Sequence, residues 1–165
     1  MESTSDELFM FALSFLRKRE VAEEIVSDVF VKTWENRFDL EKINNLKAYL
    51  FVSVKNACLS QIRKDKKDKI VSIDGLEDFW FIPVEGPENE YIDKELLEQI
   101  NKAIDQLPPK CKLAFTLAKI NGMRYREIAE VMNVSEKTVN NHLVYAIKKI
   151  SEILGIKRNK YNKSS

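Results

Sequence analysis

The sequence predicts an all-α protein: two small helical domains joined by an acidic flexible linker, the C-terminal one a helix-turn-helix. Three observations predict this. Apolar residues recur at three- and four-residue steps through most of the 165 residues, and no run alternates with the period of a strand. Two of the four glycines, Gly75 and Gly86, and two of the four prolines, Pro83 and Pro87, fall together in one short middle stretch. Charge is segregated as well, since residues 1–72 hold 13 basic against 12 acidic side chains, residues 73–98 one against 9, and residues 99–165 13 against 5. The net values of +1, −8 and +8 divide the chain into a balanced half, an acidic tether and a basic half.

In the first domain, residues 1–70, an apolar run at Leu8 to Leu16 opens the chain. Val21 to Trp34 is its clearest helix. Ala22, Ile25, Val26, Val29, Phe30 and Trp34 recur on one stripe, leaving Glu23, Glu24, Ser27 and Asp28 on other faces. A break at Asn36 to Asn45 precedes a helix from Leu46 to Arg63, which turns Leu46, Tyr49, Leu50, Val54, Cys58 and Ile62 inward and ends in the charged run Arg63 to Lys69. Residues 71–89 form the linker, and its apolar segment Asp78 to Ile82 is expected to pack on a neighbouring domain.

The second domain, residues 90–157, resumes with helices at about 90–106 and 109–120. Pro109 suits a helical first turn and Gly122 a helical end. From Tyr125 to Ile150 the spacing is that of a helix-turn-helix. Ile128, Ala129 and Met132 make one stripe, Asn133 takes a left-handed turn, Val134 plugs the corner and Ser135 caps a helix that starts at Glu136. Val139, Leu143, Ala146, Ile147 and Ile150 are expected to face inward; Lys137, Asn141, Val144, Tyr145 and Lys148 face outward, flanked by Thr138 and Asn140. Such a face offers amides for bidentate bonds to adenine and ammonium groups for guanine or phosphate, as DNA reading in the major groove requires. A basic tail, residues 158–165, closes the chain.

Several classes are excluded or made remote. Cys58 and Cys111 lie far apart inside apolar helical patterns, with no CxxC pair, so both are expected in a core within a reducing compartment, and no metal site is expected. The single histidine, His142, lies between the two faces of the predicted recognition helix. No Gly-rich phosphate loop or nucleophile motif accompanies it, so the chain is not expected to be an enzyme or to need a cofactor. The first apolar run lacks preceding Lys or Arg and is too short to span a bilayer, which makes a cytoplasmic protein without membrane insertion the expectation.

FALSFL at Phe11 to Leu16, AEEIVSDVFVKTWENR at Ala22 to Arg37, LKAYLFVSVKNACLSQIR at Leu46 to Arg63 and LPPKCKLAFTLAKINGMRYREIAEVMNVSEKTV at Leu107 to Val139, followed by HLVYAIKKI, resemble the extracytoplasmic-function group of bacterial RNA polymerase sigma factors, of the sigma-70 family. The resemblance covers most of the chain outside the linker. It implies an initiation factor that binds core RNA polymerase through the β′ clamp and β flap, captures a −10 promoter element with its first domain, reads a −35 element with its second, and has an anti-sigma partner.

Carried onto this sequence, the resemblance makes Glu23, Glu24 and Asp28 the clamp-binding residues, with Ser27 departing from the usual Gln. It makes Asn44, Asn45, Lys47, Lys55, Asn56 and Arg63 candidates for the −10 element, where a flipped base needs hydrogen-bonding groups and a separated strand needs cations. Phe38 and Phe51 are candidates for stacking on bases, whereas Trp34 and Tyr49 are expected in the core. For the −35 element the readers are Lys137, Thr138, Asn140, Asn141, Val144, Tyr145 and Lys148, with Arg124 and Arg126 on phosphates. The stretch Met1 to Met10 is shorter than the family's usual opening, so a truncated first helix is expected. The alternative is a stand-alone LuxR-like regulator, because SEKTVNNHLVYAIKKI at Ser135 to Ile150 also resembles that family's recognition helix.

Overall fold

Local capping sets where each helix begins and ends. The computed structural model describes residues 3–65, 79–83 and 93–155, and all regular structure among these described residues is helical. The Ser3 hydroxyl accepts the Asp6 N–H at 3.2 Å and opens α1, Thr4–Leu16, which Arg17 closes at a left-handed φ of 60°. Two residues later α2 runs over Arg19–Glu35, followed by a 3-10 turn at Arg37–Lys42. The Asn45 side chain accepts the Ala48 N–H at 3.1 Å and starts α3, Leu46–Asp65.

Helices α1, α2 and α3 pack on one another around Phe51, which is fully buried with its ring 4.9 Å from that of Phe11. Ala22, Ile25, Val26 and Val29 are buried from α2, and Leu50, Val54, Cys58 and Ile62 from α3, as the three- and four-residue spacing predicts. Phe51 was a stacking candidate and is core instead, because α3 is covered on two sides and buries a wider arc than a surface helix. Leu46 and Trp34 were expected inward and are exposed, Leu46 at the first residue of its helix and Trp34 at the last turn of α2. Tyr49 is half-buried against the core.

In the second domain Asp93 caps α4, Lys94–Asp105, and Pro109 sits in the first turn of α5, Pro109–Phe115. A π-helical turn over Thr116–Ile120 extends α5, and Gly122 ends it at a φ of 64°. There follow α6, Tyr125–Met132, and α7, Glu136–Leu154. Asn133 takes the left-handed conformation at φ 57° and ψ 49°, and the Ser135 hydroxyl accepts the Thr138 N–H at 3.1 Å, so the predicted turn chemistry is present at both positions. Ile128, Ala129 and Met132 are buried against α7, whose packed strip is Val139, Leu143 and Ala146. Ile150 is half-buried, and Ile147, expected inward, is exposed because this strip is narrower than the predicted face.

The two apolar cores meet. Helix α3 packs on α6 as well as on α1 and α2, and a single cluster of buried side chains runs from Leu8 in α1 to Leu143 in α7. Of the predicted linker only residues 79–83 are described, and they are anchored at both ends. Phe79 enters the first core beside Phe15 at 5.3 Å and Phe11 at 6.4 Å, and Phe81 enters a smaller cluster with Ile104, Leu107, Cys111 and Ala146. Between them the Trp80 backbone N–H donates to the Ser14 carbonyl at 2.9 Å and its indole N–H to the Leu13 carbonyl at 3.1 Å. The expected packing of this segment on a neighbouring domain is therefore observed, on both domains at once. The rest of the acidic linker and the basic tail 158–165 lie outside the described residues.

Candidate nucleic-acid interface

Helix α7 owes its orientation to the three side chains that bury it. With Val139, Leu143 and Ala146 inward, Lys137, Asn140, Asn141, Val144, Tyr145 and Lys148 are all exposed, a mixed face of amide, ammonium, phenol and methyl groups. Thr138 is half-buried, its hydroxyl 3.0 Å from that of Ser135 at the helix start. Arg124 and Arg126 are exposed at the opening of α6. His142 is half-buried beside Cys111, Nδ1 to Sγ 3.6 Å, and burial followed by the charge of Lys110 holds its pKa below the ordinary value. Burial also pushes the Cys111 thiol up. The imidazole and the thiol are within hydrogen-bonding reach of each other, the donor depending on the imidazole tautomer. Among the described residues no group of three or more His, Cys, Asp or Glu is arranged to hold a metal ion.

The six residues expected at a −10 element divide into two sets. Asn44, Asn56 and Arg63 are exposed on the first domain. Asn45, Lys47 and Lys55 instead reach the second domain. The Asn45 amide donates to Glu127 Oε2 at 2.9 Å, Lys47 Nζ donates to the Asn121 carbonyl at 3.1 Å, and Lys55 Nζ, buried, donates to the Val131 carbonyl. Lys47 also pairs with Glu7 Oε2 at 3.2 Å. Partial burial pushes the Glu127 carboxyl up, but the Arg124 N–H at 3.0 Å, the Asn45 amide and the charges of Lys47 and Arg124 together hold it below its ordinary value.

Between α2 and α3 lies a cleft of about 330 Å³ lined by Lys32, Thr33, Asn36, Tyr49, Ser53 and Asn56 among others. That volume is at the lower end of small-molecule pockets, roughly 300 to 1,000 Å³. In sequence Trp34, Arg37 and Phe38 flank this lining. Trp34 and Phe38 are 66% and 79% exposed, and the Arg37 guanidinium lies 4.4 Å and 4.7 Å from their ring centroids while donating to the Trp34 carbonyl. Helical spacing assigned Trp34 to the core; the available signal for the observed arrangement was the arginine three residues later, which holds the ring outward. On α2, Glu23, Glu24, Ser27 and Asp28 are all exposed on the side away from its buried stripe.

Residues 1–68 match the protein family of sigma-70 region 2, and residues 97–150 match that of sigma-70, region 4. Together they span both helical domains and leave out the acidic stretch between them. The chain belongs to the sigma-70 family. Within it the relatives are extracytoplasmic-function factors: ECF RNA polymerase sigma factor SigM of Bacillus subtilis is 24% identical over 150 residues, covering 90% of this chain and 88% of that protein. SigW of the same organism is 24% identical over 145 residues, covering 84% of this chain and 78% of its own length. The fold agrees with that of the sigma factor RpoE from Bartonella quintana, solved with the anti-sigma factor NepR, at a TM-score of 0.63, 25% identity and 94% coverage of each chain. This extracytoplasmic-function sigma factor therefore directs transcription initiation. The LuxR-like alternative is not favoured, because residues 1–68 match a sigma domain and the described part of them is a three-helix unit.

Proposed function

We propose that the chain joins core RNA polymerase and selects promoters in two places. The single observation that carries this reading is the exposed face of α7, where Lys137, Asn140, Asn141, Val144, Tyr145 and Lys148 stand clear of the protein while the opposite strip is buried. Asn141 and Asn140 have the two-pronged geometry that suits adenine N6 and N7, Lys137 and Lys148 suit guanine or phosphate, and Val144 suits a thymine methyl. Thr138, with its hydroxyl engaged at the cap, sits at the helix end nearest the groove, and Arg124 and Arg126 grip flanking phosphates. The net +8 of residues 99–165 favours this assignment.

The first domain takes the −10 element. A flipped base enters the cleft between α2 and α3, where Asn56, Ser53 and Asn36 supply donors and acceptors, and Trp34 and Phe38 stack on neighbouring bases of the separated strand. Asn44, Asn45, Lys47, Lys55 and Arg63 complete this surface once all are accessible. Glu23, Glu24 and Asp28 on α2 contact the β′ clamp, the second domain contacts the β flap, and an anti-sigma factor is the regulatory partner, as it is for the Bartonella relative. Because the polymerase is in the cytoplasm, so is this chain; no helix among the described residues is long and apolar enough to cross a membrane. A run-off assay with core polymerase and a genomic promoter library tests the reading. Promoter-dependent transcripts that appear only when the chain is added are expected, and their absence from every template refutes it.

A further inference from the structure

The helix-turn-helix domain brings together two soft donors that lie 31 residues apart in the chain. Cys111 Sγ on α5 and His142 Nδ1 on α7 stand 3.6 Å apart. Neither has a second cysteine or histidine near it in sequence, so spacing gave no hint of a site; the packing of α5 on α7 makes the pair. Phe81, Ile104, Leu107 and Ala146 gather around Cys111 as an apolar shell, and the cysteine is 6% exposed. His142 is half-buried, which leaves the pair open to solvent at the imidazole.

Donor type, donor number and charge decide which ion suits such a pair. A thiolate and an imidazole are soft ligands, the kind that take Cu(I) rather than Mg2+ or Ca2+. Among the described residues no third His, Cys, Asp or Glu joins them, whereas protein Zn2+ sites are built from further ligands. Charge points the same way. Lys110 acts on His142 from α5, so added positive charge is disfavoured here; a monovalent cation on one thiolate is neutral, and a divalent one leaves an unbalanced charge beside an apolar shell. With bonds of about 2.0 Å to nitrogen and about 2.3 Å to sulfur, donors on opposite sides of an ion are about 4.3 Å apart. The pair therefore widens by about 0.7 Å on binding, which a small swing of the half-buried imidazole supplies.

We propose that Cys111 and His142 form a two-coordinate site for one monovalent soft cation, Cu(I) in chemical class, that ties α7 to α5. Binding replaces the thiol proton: the Sγ–H bond breaks, the sulfur and an unprotonated Nδ1 take the ion, and one proton leaves to solvent with no change of oxidation state. Burial, with the charge of Lys110, keeps the imidazole largely neutral, and the tautomer with its proton on Nε2 offers Nδ1 to the ion. Burial also makes the Cys111 proton harder to remove, which a strongly thiophilic ion offsets and a hard one does not. Because α7 carries the exposed amides of Asn140 and Asn141, an ion held here fixes the helix that presents them.

The test titrates the whole chain with Cu(I), kept reduced by ascorbate under nitrogen, in competition with a chromogenic Cu(I) chelator. The unaltered chain is expected to take one ion from the chelator and to show the ultraviolet charge-transfer band of a copper thiolate, with zinc in excess leaving both unchanged. Cys58→Ala serves as the control for the other thiol, which is fully buried, and should bind as the unaltered chain does. Cys111→Ala and His142→Gln, at equal helix content by circular dichroism, should each weaken binding by about a hundredfold, the upper end of what loss of a merely supporting residue does. X-ray absorption should find one sulfur and one nitrogen on the copper. An unaltered chain that takes no copper, binding undiminished in His142→Gln, binding lost in Cys58→Ala, or copper displaced by zinc overturns the site. If Cys111→Ala loses its fold, His142→Gln and the copper spectrum decide the question without it.

Discussion

Replacing Phe79 by alanine measures whether the middle segment is structural. Phe79 is 3% exposed, and its ring stands edge-on to Phe15 at 5.3 Å and tilted against Phe11 at 6.4 Å. Truncating a phenylalanine in such a site costs about 3 to 5 kcal/mol, which includes roughly 0.5 to 1.5 kcal/mol for each ring pair beyond simple burial. Because the cost depends on how far the surrounding side chains close over the vacated space, and Phe79 sits on a short segment rather than inside a helix, the lower end, about 3 kcal/mol, is expected. For a chain of this size that is a fall of roughly 6 to 12 °C in Tm. Urea unfolding followed by circular dichroism gives the number, and Trp80→Phe, which removes only the indole N–H bond to Leu13 while keeping an aromatic ring, should cost about 1 kcal/mol. A Phe79→Ala change below about 1 kcal/mol would refute the claim that this residue belongs to the core.

Lys137→Ala and Asn141→Ala should each cost about 1 to 3 kcal/mol in discrimination at the −35 element, read as relative run-off from promoter variants, with binding to core polymerase unaltered. Arg124→Ala and Arg126→Ala should weaken binding on all sequences alike and each reduce the slope of log affinity against log salt by about 1. Burial pushes the Cys58 thiol from 9.0 up to about 12, so it should resist thiol reagents in the native chain. Its contribution to stability is complete below pH 9.0 and lost as pH rises towards 12, measured as a decline in unfolding free energy absent from Cys58→Ala. Glu127 has the opposite sign: its depressed pKa means that its contribution is complete above the ordinary 4.5 and lost as pH falls below it, so unfolding free energy should decline in acid by more than it does in Glu127→Gln.

Much of this protein follows from local rules and was readable residue by residue. The buried stripes of α2, α3 and α6, the left-handed turn at Asn133, the cap at Ser135 and the outward face of α7 depend on 3.6-residue periodicity and on side chains that bond their own backbone. Where two sides of a helix are covered, or a helix end overhangs, periodicity misjudges the arc. Phe51 was therefore assigned outward and is buried, while Trp34, Leu46 and Ile147 were assigned inward and are exposed.

The helices, the acidic stretch in the middle of the chain and the family were all legible in the amino-acid order, because each is written in contacts within a few residues or in motif order. That Asn45, Lys47 and Lys55 face the helix-turn-helix domain, and that Phe79 and Phe81 sit in separate clusters, emerged from the folded chain alone. Those pairings join residues about 70 to 80 positions apart, such as Asn45 with Glu127 at a separation of 82. No periodicity or capping rule reaches that far; such pairs form only when two finished surfaces find complementary shape and charge.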